Sequence, residues 1–105
     1  MLILCALMFS GNVYAKNTRY CVALEANRGN KCGKPESMQI TVRNQCSVPV
    51  YVKVCIEGQD GKWDCGSDSH LKPGKSNGGF WDCRSTGRYE WDSCTGGYKE
   101  CGFKK

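Results

Sequence analysis

Cysteines, tryptophans and a scatter of carboxylates around a single histidine are the residues of this chain whose types could do chemistry. Nine cysteines occur in 105 residues. Cys5 stands alone in an apolar leader, whereas Cys21, Cys32, Cys46, Cys55, Cys65, Cys83, Cys94 and Cys101 are spread over the remainder. Thiols can ligate zinc, act as nucleophiles or pair as disulfides. Structural zinc uses closely paired Cys or His spacings, but successive cysteines here are 7 to 18 positions apart and only one histidine accompanies them. An even set of eight also leaves no thiol over for catalysis. Four disulfides are therefore expected, with no metal and no other cofactor.

The tryptophans share a pattern. Each is followed by aspartate and then by cysteine, directly or one residue later: Trp63-Asp64-Cys65, Trp81-Asp82-Cys83 and Trp91-Asp92-Ser93-Cys94. In an extended strand the Trp and a Cys two positions on share a face, with Asp on the other. The indole can then shelter a disulfide in a small core, while Asp faces solvent or accepts turn amides. The third copy is shifted by one residue, so Asp92 and Cys94 fall on one face and Tyr89, Trp91 and Ser93 on the other. The alternative is an exposed aromatic platform for sugar rings or another flat ligand. Its candidate binding residues are Trp63, Trp81, Tyr89 and Trp91, with Arg84 and Arg88 as basic flanks.

Catalytic chemistry has thinner support. His70 is the single histidine. Asp68 or Glu57 could orient it, and Lys72 or Arg84 could stabilise an anion, as in a small hydrolase or ribonuclease. No Gly-x-Ser-x-Gly nucleophile setting accompanies it. Glu57 with Glu90 could act on a glycosidic bond if the fold brought them together. Glu57, Asp60, Asp64 and Asp68 supply oxygens of the kind calcium takes, without the twelve-residue loop pattern. No catalytic residue is expected.

The elements that must position these groups read as strands. Met38, Ile40 and Val42 alternate with Gln39, Thr41 and Arg43. From Val48 to Ile56 every second residue is β-branched, with Pro49, Tyr51, Lys53 and Cys55 on the opposite face. Pro49 marks the start or edge of that strand, because it cannot donate to a ladder. Tyr20–Leu24 reads as a short strand or one helical turn in an N-terminal arm pinned by Cys21 and Cys32. Asn27-Arg28-Gly29-Asn30 reads as a turn. Asp60-Gly61 and Asn77-Gly78 are type I′ hairpin candidates, and Pro73-Gly74 suits the centre of a type II turn. Thr95-Gly96-Gly97 separates short strands near Arg88–Cys94 and Tyr98–Phe103. The expected fold is all-β and mainly antiparallel, a small disulfide-rich sandwich or meander of five to seven short strands. The expected pairings are Cys21–Cys32, Cys55–Cys65, Cys94–Cys101 and Cys46–Cys83.

Residues 1–15 read as a signal peptide. Leu2 to Phe9 is continuously apolar, and Val13 and Ala15 suit a leader-peptidase site, so cleavage is expected after Ala15. The run is shorter than the roughly 20 residues a membrane helix needs. No Lys or Arg precedes it, which is consistent with a translation start upstream of Met1. Cys5 follows Leu4 rather than a small residue, which argues against a lipid anchor. A single secreted or periplasmic domain, residues 16–105, remains. Fifteen Lys and Arg against ten Asp and Glu give a net charge of +5, a balance that favours anionic partners or simply solubility.

The stretch from Val42 to Cys55, with its Asn44-Gln45-Cys46 turn, valine-rich strand and second cysteine, resembles a motif of small cysteine-rich secreted proteins, mostly bacterial. Leu71-Lys72-Pro73-Gly74-Lys75-Ser76 is similar to their Leu-x-Pro-Gly-x-Ser turn. Thaumatin-like sandwiches show a related Asn-x-Cys opening in a much longer chain. The resemblance spans about Val42–Ser76. It implies an exported β domain and carries over no catalytic residue.

The expected function is a non-enzymatic binding module for a protein or polysaccharide ligand, anionic ligands included. It is expected to be a monomer with no membrane span and no nucleic-acid partner. A toxin-like or protease-inhibitor-like protein is one alternative, and a small secreted hydrolase using His70 is the other.

Overall fold

A computed structural model of the chain describes residues 16–97 and Cys101. The leader, its cleavage site and the expected strand near Tyr98–Phe103 lie outside the described residues, Cys101 excepted, and there the backbone is helical rather than extended, with Cys101 N–H donating to Gly97 O at 2.9 Å. A 3-10 turn, Arg19–Cys21, leads into six strands: β1 (Val22–Arg28), β2 (Met38–Asn44), β3 (Val50–Gly58), β4 (Trp63–Leu71), β5 (Ser76–Asp82) and β6 (Ser85–Cys94). They form two three-stranded antiparallel sheets, ordered β1-β2-β5 and β4-β3-β6. The chain changes sheet between β2 and β3, again between β4 and β5, and again between β5 and β6. The fold is a two-sheet sandwich rather than a meander.

The alternation in the sequence sets the inner faces. Met38, Ile40 and Val42 of β2 pack with Val50, Val52, Val54 and Ile56 of β3, and Val22, Leu71 and Phe80 close the cluster. Burial of each such side chain contributes roughly 1.5–3 kcal/mol. β3 runs between β4 and β6 and is also buried at Tyr51 and Cys55 on its outer face. It begins immediately after Pro49, as the missing amide requires. Val48 lies before the strand and is exposed, not on the core face.

The turns match expectation in part. Pro73-Gly74 is the centre of a type II turn, with Gly74 at φ 77° and Lys75 N–H donating to Lys72 O at 3.0 Å. Asp60-Gly61 lies in the β3–β4 hairpin, but Asp60 is not in the left-handed region. Gly61 N–H donates to Gly58 O and Gly61 has φ 84°, a type I turn closed by a left-handed glycine. Asn77-Gly78 is not a turn. It lies inside β5, where Gly78 and Gly79 together oppose Thr41 in a bulge. Type I′ geometry occurs instead at Lys31-Cys32-Gly33-Lys34, with φ 59° and 62° at the two central residues. Tyr20–Leu24 combines both expected forms, one helical turn and then strand, and the strand continues through Asn27 and Arg28.

Four disulfides join Cys21–Cys46, Cys32–Cys83, Cys55–Cys65 and Cys94–Cys101. The two short-range pairings agree with the sequence reading, and the other two are exchanged. The reason is β1. It is not part of a pinned arm but a full edge strand whose seven residues hold Cys21 and Cys32 at opposite ends, about 20 Å apart. The register that sets Val22 opposite Asn44 delivers Cys21 to Cys46. At the far end, Met38 lies opposite Asp82, and Ser85 N–H donates to Glu36 O, which brings Cys83 to the loop bearing Cys32.

Candidate functional site

The three Trp-Asp-Cys units begin β4, end β5 and end β6, and the sheet order parts them. Trp63 lies opposite Glu57, and Cys65 opposite Cys55, on the outer face of the β4-β3-β6 sheet. The expected shared face of Trp63 and Cys65 is therefore present. The Arg88 guanidinium lies 5.9 Å from the Trp63 ring centroid and 3.4 Å from Glu57 Oε1, which also accepts Thr86 Oγ1 at 2.8 Å. In β6, Trp91, Tyr89 and Ser93 lie opposite Val54, Ile56 and Val52 and share their inner face. Asp92 and Cys94 point the other way, as the one-residue shift demands. Trp91 packs against the core with the Arg19 guanidinium 4.8 Å from its ring.

Trp81 belongs to the other sheet. It lies opposite Gln39 on the outer face of β1-β2-β5 and is 45% exposed, against 37% for Tyr89. Lys31 Nζ lies 5.6 Å from its ring centroid. Each tryptophan thus has a basic side chain over its ring, a contact that contributes about 0.5–1 kcal/mol at exposed sites. Arg84 occupies the β5–β6 corner and lines an open cleft of about 550 Å³ with Asp60, Asp82 and Gln59. The six sequence-derived binding residues therefore fall on separate surfaces, with Trp63 and Arg88 on one, Tyr89 and Trp91 on another, Trp81 on a third and Arg84 at a corner.

Two of the three aspartates accept backbone amides. Asp82 Oδ1 accepts the Arg84 amide at 2.8 Å, and Asp92 Oδ1 accepts the Ser93 amide and Asn17 Nδ2. Asp64 lies opposite Ile56 at the open β4–β5 side, in a cleft of about 310 Å³ with Phe80 and Trp81.

The catalytic candidates do not converge. His70 is exposed near the end of β4, and Asp68 binds the His70 backbone amide at 3.0 Å and Asn77 Nδ2 at 2.8 Å rather than orienting the imidazole. Glu57 faces the start of β4, on the order of 20 Å away along the strand. Arg84 is at that same remote end. Glu57 and Glu90 share the outer face of their sheet, but Glu57 is engaged by Arg88 and Thr86. Among the described residues no group of three or more His, Cys, Asp or Glu is placed to hold a metal ion. No helix among them is long and apolar enough to cross a membrane.

The sequence reading missed the polar surroundings of Trp81. Asn27, Gln39 and Trp81 form one cross-strand row, and Glu25 and Thr41 form the next. Outward alternation in β2 marks Gln39, Thr41 and Arg43. Nothing local ties them to Trp81, which is 42 residues from Gln39 in the chain.

These features define the molecule as a small disulfide-stapled β-sandwich with a half-exposed tryptophan on one sheet face. No protein-family model, curated protein or solved structure matches the chain.

Proposed function

We propose that the chain is an exported, non-enzymatic binding module for a polysaccharide or protein ligand, acting through the surface around Trp81. The observation that carries the reading is Trp81 itself, a large aromatic ring held 45% exposed on a sheet rather than on a loop. Rigid exposed aromatics supply contact area at little entropic cost, which is why they dominate binding hot spots. The surroundings support it: Lys31 lies over the ring, and the Cys32–Cys83 disulfide ties the lysine's turn to a residue two positions from Trp81. Export is supported by four disulfides in so small a domain, since such density belongs to oxidising compartments. The apolar leader points to a secreted or periplasmic location. Separation of His70 from Glu57 and Arg84 favours binding over hydrolysis.

Glycan and protein arrays probed with the oxidised domain test the reading. A ligand bound by the parent protein and lost on Trp81→Ala, with an unchanged melting temperature, supports it. If the two proteins give the same binding profile, Trp81 is not the site.

A further inference from the structure

We propose that the outer face of the β1-β2-β5 sheet binds an acidic polysaccharide, with sugar rings stacking on Trp81 and their carboxylates meeting Lys31 and Arg43. The proposal rests on the binding-module reading and names its ligand class. Three cross-strand rows make the face. Asn27, Gln39 and Trp81 form the first, Glu25 and Thr41 the second, and Ala23, Arg43 and Ser76 the third.

In the second row β5 contributes only the Gly78-Gly79 bulge. A Cβ at Gly78 would stand 3.0 Å from Thr41 Oγ1 and 3.2 Å from Gln39 Nε2, so glycine leaves Thr41 and Gln39 uncovered beside Trp81. Gln39 Nε2 donates to Gly78 O at 2.8 Å, which fixes the amide plane. A strip of amide and hydroxyl groups next to an aromatic ring suits a sugar chain. The C–H face of a pyranose stacks on the part of the indole that Lys31 leaves exposed, and its hydroxyls exchange hydrogen bonds with Asn27, Gln39, Thr41 and Glu25.

Charge selects the class of sugar. Lys31 lies at the Trp81 end of the strip, its turn held by the disulfide and by the Lys31 amide donating to Ser37 Oγ at 3.0 Å. Arg43 lies four residues along β2, about 13 Å away along the strand, with Nη1 3.4 Å from Ser76 Oγ. Two cations at the ends against one carboxylate, Glu25, match a chain that carries carboxylates on successive rings. Two cations are too few for the phosphate-dominated binding of a nucleic acid.

Titration calorimetry with polygalacturonate and with alginate tests the proposal, using the carboxyl-reduced form of each polymer for comparison. The oxidised protein is expected to bind at least one uronate polymer and to lose affinity with added salt. Trp81→Ala should weaken binding by at least about tenfold, and Arg43→Gln by several-fold with a shallower salt dependence. Tyr20→Ala, which removes a more exposed aromatic from the 3-10 turn, should bind as the parent does. Equal binding to a carboxyl-reduced polymer overturns the acidic class. Absence of binding to both uronates, or parental affinity in Trp81→Ala and Arg43→Gln, overturns the site. A protein ligand found on the array and lost with Trp81 would overturn this proposal while leaving the binding-module reading intact.

Discussion

With its side chain fully buried, Asn44 donates from Nδ2 to the carbonyls of Val48 and Leu71, at 2.9 and 2.8 Å, and accepts the Cys46 amide at 2.7 Å. Its own backbone exchanges hydrogen bonds with Gly74 and Lys75 of the type II turn. One amide thus closes the end of β2, the entry to β3 and the exit of β4. That is the physical content of the Asn-x-Cys and Leu-x-Pro-Gly motifs, which meet in space at this residue. Asn44→Ala would strand three backbone groups, each costing about 1–3 kcal/mol, so a loss of about 3 kcal/mol or more is expected in urea melts. Asn44→Asp should be no better, because a carboxylate cannot donate to two carbonyls. An aspartate variant as stable as the parent would show that the two donated bonds contribute nothing.

At the scale of elements, the disulfides divide into those that follow the sheet and those that bind one part of it to another. Cys55 and Cys65 lie directly opposite in the β3–β4 hairpin and are separated by 10 residues, whereas Cys32 and Cys83 are separated by 51. On the chain-entropy account, the longer link restrains the unfolded chain more, by about 1.4 kcal/mol at 25 °C. Replacing Cys32 and Cys83 with Ala should therefore lower stability further than replacing Cys55 and Cys65. Denaturant midpoints of the two double variants give the comparison, and the reverse order would locate the stabilisation in the native hairpin instead. The exchanged pairings and the Asn77-Gly78 bulge have one cause. A cysteine or a glycine pair has a local meaning only once the partner strand is known, and both partners here come from across the chain.

For the whole molecule, a core of ten buried side chains among the described residues, in two short sheets, is joined by four links worth typically 2–4 kcal/mol each. Their sum rivals the entire stability of an ordinary domain, about 5–15 kcal/mol. Reduction is expected to abolish the cooperative thermal transition, read by near-ultraviolet circular dichroism of the tryptophans. A reduced protein that keeps a sharp transition would mean the apolar core suffices. The two outer faces of the sandwich also differ in what they carry. One carries the Cys55–Cys65 staple and the Trp63–Arg88–Glu57 group, and the other carries Asn27, Gln39 and Thr41 around Trp81.

By itself the sequence determined the all-β class, the inward residues of β2 and of β3 from Val50 to Ile56, the phase shift of the third Trp-Asp-Cys unit and the two local disulfides, while leaving Pro49 as either the start or an edge of its strand. Side-chain alternation and short loop closure are properties of a few neighbouring residues, so they can be read without knowing where the strand goes. Tertiary structure alone decided that β5 leaves its neighbours in sequence to pair with β2, that Cys21 meets Cys46 and Cys32 meets Cys83, and that Trp81 stays half-exposed while Trp91 packs inward. Those outcomes depend on which sheet each strand joins. That choice is made by burying the face of β2 against the face of β3, a contact between whole surfaces that no local pattern encodes.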